Sequence, residues 1–97
     1  MSGPRPTQWP KYLVYATAHG VRLHQKPWSS SPITGVAPDQ SMVHIGCFTT
    51  GQQVSAPWAN NDPRWDWVAY GGKQGFATDV FIKTGTDVRD PSRIPKC

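Results

Sequence analysis

The sequence predicts an all-β fold, a small barrel of about five short strands, and three observations lead to that prediction. The chain of 97 residues contains no glutamate and only two leucines, so no segment has the composition of a long amphipathic helix. Nine glycines and ten prolines interrupt the chain along its length. The remaining apolar residues alternate with polar ones over short segments, which is the period of a half-buried strand. A chain of this length forms one small domain.

The first two strands follow a proline-rich lead-in. Residues 1–10 are predicted to be a flexible or extended segment outside the core. Residues 12–18 are rich in aromatic and β-branched side chains, and they predict the first strand. After a break at Gly20, residues 21–24 alternate again and predict a second short strand.

The middle of the chain contains two segments that are expected to be irregular. Residues 27–38 hold three prolines and three consecutive serines, which favours a long loop over a central strand. A turn at residues 38–41 leads into a predicted strand over residues 41–49. Residues 51–63 are predicted to be a second irregular segment, with its tip at residues 60–63.

A β-hairpin is predicted next. Residues 65–70 alternate, Gly71 and Gly72 supply a turn with positive φ, and residues 74–82 return as the second strand. Strand spacing alone does not distinguish an SH3-like barrel from an OB-type barrel or a short sandwich.

The two cysteines predict a disulfide. On a regular strand, Cys47 shares its face with Val43 and Ile45 and therefore points inward. The other cysteine, Cys97, is the last residue, and a bond between the two would hold a tail that otherwise frays. Two unrelated free thiols are the alternative.

The charge pattern bears on partners and location. The net charge of +4 and a sequence pI near 9.4 favour weak attraction to anionic surfaces, but the basic residues are scattered, so no nucleic-acid binding is expected. No apolar run approaches the roughly 20 residues of a bilayer span, so no membrane insertion is expected. Residues 1–10 do not resemble a signal peptide, whereas a disulfide expects an oxidising compartment. We therefore expect a secreted protein whose signal was removed or, alternatively, a phage-encoded protein released on lysis.

Two stretches of the chain resemble the bacterial SH3 domain family. Its opening motif, Gly-x-Asn-Val-Arg-Ser-Gly-Pro followed by a Ser/Thr-rich stretch and Ile/Val-x-Gly, is similar to residues 20–35. Its Gly-Lys-x-Gly-Trp motif is similar to residues 72–76. The resemblance covers about residues 12–85 and implies an SH3-like barrel.

The chain is most similar to SH3-like domains of secreted actinobacterial proteins associated with the cell wall. Those domains carry Cys-x-Thr-Thr-Gly, Trp-Asp, Val-Ser-Asp-x-Tyr-Val-x-Thr-Gly and a cysteine near the end; the corresponding positions here are residues 47–51, 65–66, 77–85 and Cys97. The resemblance implies the same disulfide, a barrel over residues 11–85 and an anchored tail over residues 86–97.

The chain also departs from these motifs. Arg22, His24 and Lys26 replace the Asn, Arg and Gly of the opening motif. The usual Gly after Pro38 and Asp39 is Gln40, so Gln40 must accept an unusual backbone angle or the turn must take another shape.

Five tryptophans in 97 residues are the main indication of a binding site. Trp28 follows a proline in the first loop and is the best candidate for ligand contact. If Val68 faces the core, Trp65 and Trp67 lie on the groove side; packing beneath residues 51–63 or the tail is the alternative. His24 could meet a ligand carboxylate or be an ordinary solvated histidine.

No metal, cofactor or catalytic residue is predicted. His44 and Cys47 are three residues apart and face opposite sides of a regular strand, so they cannot share an ion without a bulge. Cys47 also lacks the adjacent histidine base that cysteine nucleophiles use.

The expected function is that of a non-catalytic, monomeric binding module for bacterial cell-wall material, either peptidoglycan peptide or glycan, that targets an associated protein. The alternative is a protein-interaction module, such as a secreted inhibitor, an adaptor or a phage structural or accessory protein.

Overall fold

A computed structural model describes residues 5–16, 19–90 and 92–97, and it shows one antiparallel sheet that curls into a half-barrel. The six strands are β1 (Lys11–Leu13), β2 (Val21–His24), β3 (Ile33–Ala37), β4 (Met42–Ala56), β5 (Ala59–Tyr70) and β6 (Lys73–Thr78). Their order across the sheet is β1-β4-β5-β6-β2-β3. Short 3-10 turns span Pro6–Gln8, Asp79–Phe81 and Asp87–Arg89. The prediction of an all-β fold is confirmed, with six strands in place of about five.

The predicted hairpin around Gly71 and Gly72 is confirmed. β5 and β6 pair from Trp65↔Thr78 to Tyr70↔Lys73. Both glycines have positive φ, at 57° and 80°, as the turn requires. The second strand ends earlier than predicted, because residues Asp79–Phe81 form a 3-10 turn.

The first predicted strand is shorter than expected and partly closes the sheet. β1 ends at Leu13, although Val14 forms an isolated antiparallel bridge with Ile82. The Tyr15 amide donates to the Phe81 carbonyl at 2.8 Å, on one side of that bridge. Residues 17 and 18 of the predicted strand lie outside the described residues.

The predicted irregular segment at residues 51–63 is wrong. β4 continues to Ala56 and β5 begins at Ala59, so the two strands form one long hairpin with Pro57 and Trp58 at its tip. We call the part of this hairpin beyond Thr50 the arm. Its pairing is interrupted between Thr50↔Arg64 and Val54↔Asp62, opposite Pro63, which has no amide hydrogen to donate.

The predicted long loop at residues 27–38 also contains a strand. β3 pairs with β2 only, which makes it an edge of the sheet. An edge strand tolerates the flanking prolines because half of its backbone groups need no partner in the sheet.

Cys47 does not share the core face, so the prediction that its side chain points inward is wrong. Gly46 forms a bulge, so Ile45 pairs with Val68 whereas Cys47 pairs with Trp67. Directly paired residues share a face, so Cys47 lies on the outer face with Trp67. The predicted disulfide to Cys97 is nevertheless present, with the two Cα atoms 4.9 Å apart.

The N-terminal segment from residue 5 packs on this bulge instead of extending freely. A Cβ atom on Gly46 would lie 2.8 Å from the indole ring of Trp9, so only glycine fits beneath that ring. The Ile45 amide donates to the Pro10 carbonyl at 3.0 Å, which continues the edge of the sheet. Residues 1–4 of the predicted flexible segment lie outside the described residues.

The C-terminal tail completes the core. Val88 and Ile94 are buried with the side chains of the sheet. The tail runs parallel to β4 at Phe48, whose carbonyl accepts a hydrogen bond from the Cys97 amide at 2.7 Å. Tyr12 donates to Asp87 Oδ2 at 2.8 Å, and burial, with that bond, raises the pKa of Tyr12 to about 12. The full core comprises Tyr12, Val14, Val21, Leu23, Ala37, Val43, Ile45, Val68, Ala77, Ile82, Val88 and Ile94.

None of the helical turns in the described residues has the length and apolar character needed to cross a bilayer.

Candidate functional site

The tip of the arm is fixed to the body of the domain by Trp58. Its indole N–H donates to the Val80 carbonyl at 2.8 Å. The ring packs edge-to-face against Tyr15, at 5.3 Å between centroids, and against Phe81, at 6.0 Å. Trp58 and Tyr15 remain 49% and 43% exposed, so each ring keeps a large surface open to solvent.

A cleft of about 520 Å³ lies beside these rings, and we call it the tip cleft. Asp62 and Asp79 line it together with Tyr15 and Trp58. The Lys83 ammonium lies 4.6 Å from the centroid of the Tyr15 ring, in a cation-π contact.

A second cleft, of about 190 Å³, lies between β2 and the base of the arm, and we call it the base cleft. Its lining includes Trp65, His24 and Phe81. Phe81 lines the base cleft and also packs against Trp58, which lines the tip cleft. We call the two clefts together the aromatic groove. The groove combines apolar ring surfaces with a few polar groups, the usual composition of a ligand site.

His24 is buried in the base cleft, so it is not the solvated residue that the sequence also allowed. Its Nδ1 lies 2.8 Å from the Ser31 carbonyl. A carbonyl only accepts, so Nδ1 carries the hydrogen of this bond. The ring packs edge-on against Trp65, with centroids 6.0 Å apart.

Gln52 joins the first loop to the arm. Its amide donates to the Pro27 carbonyl at 3.0 Å, and its Oε1 accepts from the Ser29 amide at 2.8 Å. The Gln52 carbonyl in turn accepts from the Trp65 indole N–H at 2.8 Å. The interruption in β4 frees these groups for such contacts. A Cβ on the neighbouring Gly51 would collide with the Pro27 carbonyl, so glycine is required there.

Asp66 and Asp79 form a buried acid pair beneath the tip cleft. Asp66 is completely buried, and neither of its carboxyl oxygens has a hydrogen-bond partner among the described residues. Asp79 accepts from the Thr84 hydroxyl at 2.8 Å. Burial raises the pKa of Asp66 well above its usual range, and the neighbouring Asp79 adds to that shift; burial also raises the pKa of Asp79. Burial therefore favours the protonated form of both groups.

The four predicted ligand residues lie in different environments. Trp28 is 44% exposed on the first loop, and its indole N–H has no hydrogen-bond partner within the described part of the chain. Trp65 lies on the face opposite Val68, as predicted, but is only 2% exposed because His24 and Gln52 cover it. Trp67 is half-buried against Phe76, with its indole N–H donating to Gln74 Oε1 at 3.0 Å.

The sequence pattern does not indicate that Tyr15, Phe81 and Gln52 belong to the groove. For Trp58 there is one local signal, because the proline directly before it places its ring at a turn. The contacts of Tyr15 and Phe81 join residues far apart in the chain, so no local pattern reveals them.

Another cleft lies at the other end of the sheet. It measures about 690 Å³ and is bounded by the N-terminal segment and the β5–β6 turn, with Arg5, His44 and Lys73 around it. The bulge at Gly46 places His44 and Cys47 on one face, but Cys47 is bonded to Cys97 and His44 Nδ1 lies 3.0 Å from the Trp9 carbonyl. Across residues 5–16, 19–90 and 92–97, no three His, Cys, Asp or Glu side chains meet as a set of metal ligands.

Comparison with known proteins finds no match to this chain, whether among family models, curated proteins or solved structures.

Proposed function

We propose that this protein is a secreted, non-catalytic module of the bacterial SH3 type that binds cell-wall material, peptidoglycan peptide or glycan, in the aromatic groove. The observation that carries the proposal is the pair of half-exposed indoles, Trp28 on the first loop and Trp58 at the arm tip. Trp58 lines the tip cleft, and Ser29, the residue after Trp28, lines the base cleft. Flat aromatic surfaces stack on sugar rings and on apolar peptide groups.

Two features support the SH3-like part of the proposal. The bridge between Val14 and Ile82 brings the first strand to the end of the last, which is how a sheet begins to close into a barrel. The disulfide between Cys47 and Cys97 fits the motif order of the wall-associated domains and also fits an oxidising compartment.

A non-catalytic role agrees with the state of the reactive groups. Cys47 is oxidised, so it offers no thiolate. His24 and His44 each direct Nδ1 to a backbone carbonyl. Asp66 lies too deep to touch a substrate.

Sedimentation with purified insoluble peptidoglycan tests the proposal. We expect the wild type to sediment, and Trp28→Ala and Trp58→Ala each to bind at least about fivefold more weakly, since lost stacking costs about 1 kcal/mol. Val36→Ala removes an apolar side chain of similar exposure outside the groove and is expected to sediment normally. The proposal would be contradicted if the wild type and Trp28→Ala both stayed in the supernatant.

Protein recognition is the second candidate, and one observation favours it. β3 is an edge strand with Ile33 and Val36 55% and 47% exposed, which suits addition of a strand from a partner. A stoichiometric protein partner lost in Val36→Asp, but retained in Trp28→Ala, would favour this candidate over wall binding.

A further inference from the structure

The tip cleft already holds one ammonium group. Lys83 Nζ sits over the face of Tyr15, 4.6 Å from the ring centroid. Tyr15 and Trp58 meet edge-to-face at an interplanar angle of 66°, so their π faces point in different directions, and both residues line the cleft. Such faces attract cations through the ring quadrupole.

Two aspartates line the same cleft, Asp62 and Asp79. Burial raises the pKa of Asp79, as it does that of the neighbouring Asp66, and so favours their protonated, neutral forms. Asp62 is only partly buried. It is therefore the carboxylate that gives the cleft a preference for cations over anions in a chain of net charge +4.

We propose that the tip cleft binds a primary ammonium group, carried on an amino side chain of the wall peptide. The alkyl stem packs on the aromatic rings while the charged end faces Asp62. The source of the ammonium in this inference rests on the proposed wall-binding function. The preference of the cleft for an ammonium group does not depend on that function.

In this proposal the ammonium group of Lys83 occupies the same site as the ligand. Because it already lies on Tyr15, an incoming ammonium competes with it for the ring and for Asp62. The geometry therefore predicts that removing the Lys83 charge strengthens ligand binding, whereas a site for anions would be weakened by the same change.

Titration with Nα-acetyl-L-lysine amide tests the cleft directly, with the NMR signal of the Trp58 indole N–H as the readout. The Nε-acetylated form of the same compound is the matched uncharged probe. We expect saturable shifts with the first probe only, about threefold weaker binding in Asp62→Asn, and about threefold tighter binding in Lys83→Met. Asp62→Asn keeps the oxygen that accepts from the Arg64 amide at 2.9 Å, so the fold is preserved.

Asp90→Asn is the control, because it removes an exposed carboxylate on the tail, outside the tip cleft, and is expected to leave the titration unchanged. Equal binding of both probes, or weaker binding in Lys83→Met, would overturn the proposal.

A second measurement identifies the source of the ammonium. Peptidoglycan whose free amines have been acetylated is expected to sediment the wild type several-fold less than untreated material; equal sedimentation would overturn the wall-peptide assignment. If neither form binds but the lysine probe does, the wall-binding function fails, and with it the assigned source, while the ammonium chemistry of the cleft stands.

Discussion

At the scale of single residues, Asp66 is an ionisable side chain in a site that excludes water. Its carboxyl group is completely buried beside Asp79, and neither of its oxygens is bonded within the described residues. Two adjacent carboxylates in a poorly solvated site cannot both ionise without a large cost. The pair is therefore a source of instability that depends on pH.

The sign of that dependence follows from the raised pKa values of Asp66 and Asp79. The folded state holds a proton that the unfolded state releases near the ordinary pKa of 3.8, so folding stability decreases as the pH rises from there through the raised pKa of the pair. Asp66→Asn replaces the buried carboxyl group with an amide that stays neutral at every pH. We expect this variant to be more stable than the wild type at pH 7, by about 1 to 3 kcal/mol, the usual cost of an unsatisfied buried polar group.

Urea denaturation at a series of pH values measures this effect. The control Asp39→Asn retains an oxygen to accept from the Ala16 amide and is expected to show the wild-type slope. A wild-type stability that rises between pH 4 and 7, with Asp66→Asn parallel to it, would contradict the prediction.

At the scale of elements, the turn before β4 shows how much local sequence can predict. The missing glycine at position 40 implied that another residue must take an unusual backbone angle, and Gln40 indeed has a φ of 67°. The β5–β6 hairpin was predictable for the same reason, because two glycines specify its turn. The arm was not, since Asn61 and Pro63 look like loop residues, and only their place in the hairpin with β4 makes them part of β5.

The substitution Gln40→Gly is expected to stabilise the protein. A non-glycine residue at positive φ costs about 1 kcal/mol or more, and glycine adopts that angle freely, although its greater flexibility when unfolded offsets part of the gain. We expect a net increase of about 0.5 to 1 kcal/mol in the free energy of unfolding, measured by thermal or urea denaturation.

Gln25→Gly, at an exposed loop residue that lacks positive φ, is the control and is expected to destabilise slightly. Equal effects of the two substitutions would show that the turn at Gln40 carries no strain.

At the scale of the whole molecule, the class of fold and the covalent link were predictable, but the faces of individual side chains were not. The bulge at Gly46 moved Cys47 to the outer face, and the interruption at Gly51 let Gln52 cover Trp65. Each such irregularity reverses or hides the face that simple alternation assigns. The groove combines residues from the segment after β1, from β2, from the arm and from the segment after β6, so its composition depends on the complete fold.

Loss of the disulfide is expected to destabilise the whole domain. It closes a loop with a sequence separation of 50, worth about 4 kcal/mol in the chain-entropy model, and the tail it holds contributes Val88 and Ile94 to the core. We expect the double variant Cys47→Ser with Cys97→Ser to lose roughly that free energy of unfolding.

Reductant should destabilise the wild type to a similar extent and leave the double variant unchanged. A wild-type unfolding midpoint that does not move in reductant would show that the tail is held by packing alone.

The two anchors of the arm, Gln52 at its base and Trp58 at its tip, have a consequence for the kinetics of recognition. Both form hydrogen bonds within the chain itself, which restrict the walls of the groove. We therefore expect a ligand of the proposed site to meet a preorganised surface, with no slow rearrangement before or after the encounter. Association should therefore follow a single exponential whose rate rises linearly with ligand concentration, and differences in affinity among ligands should lie in how fast they leave.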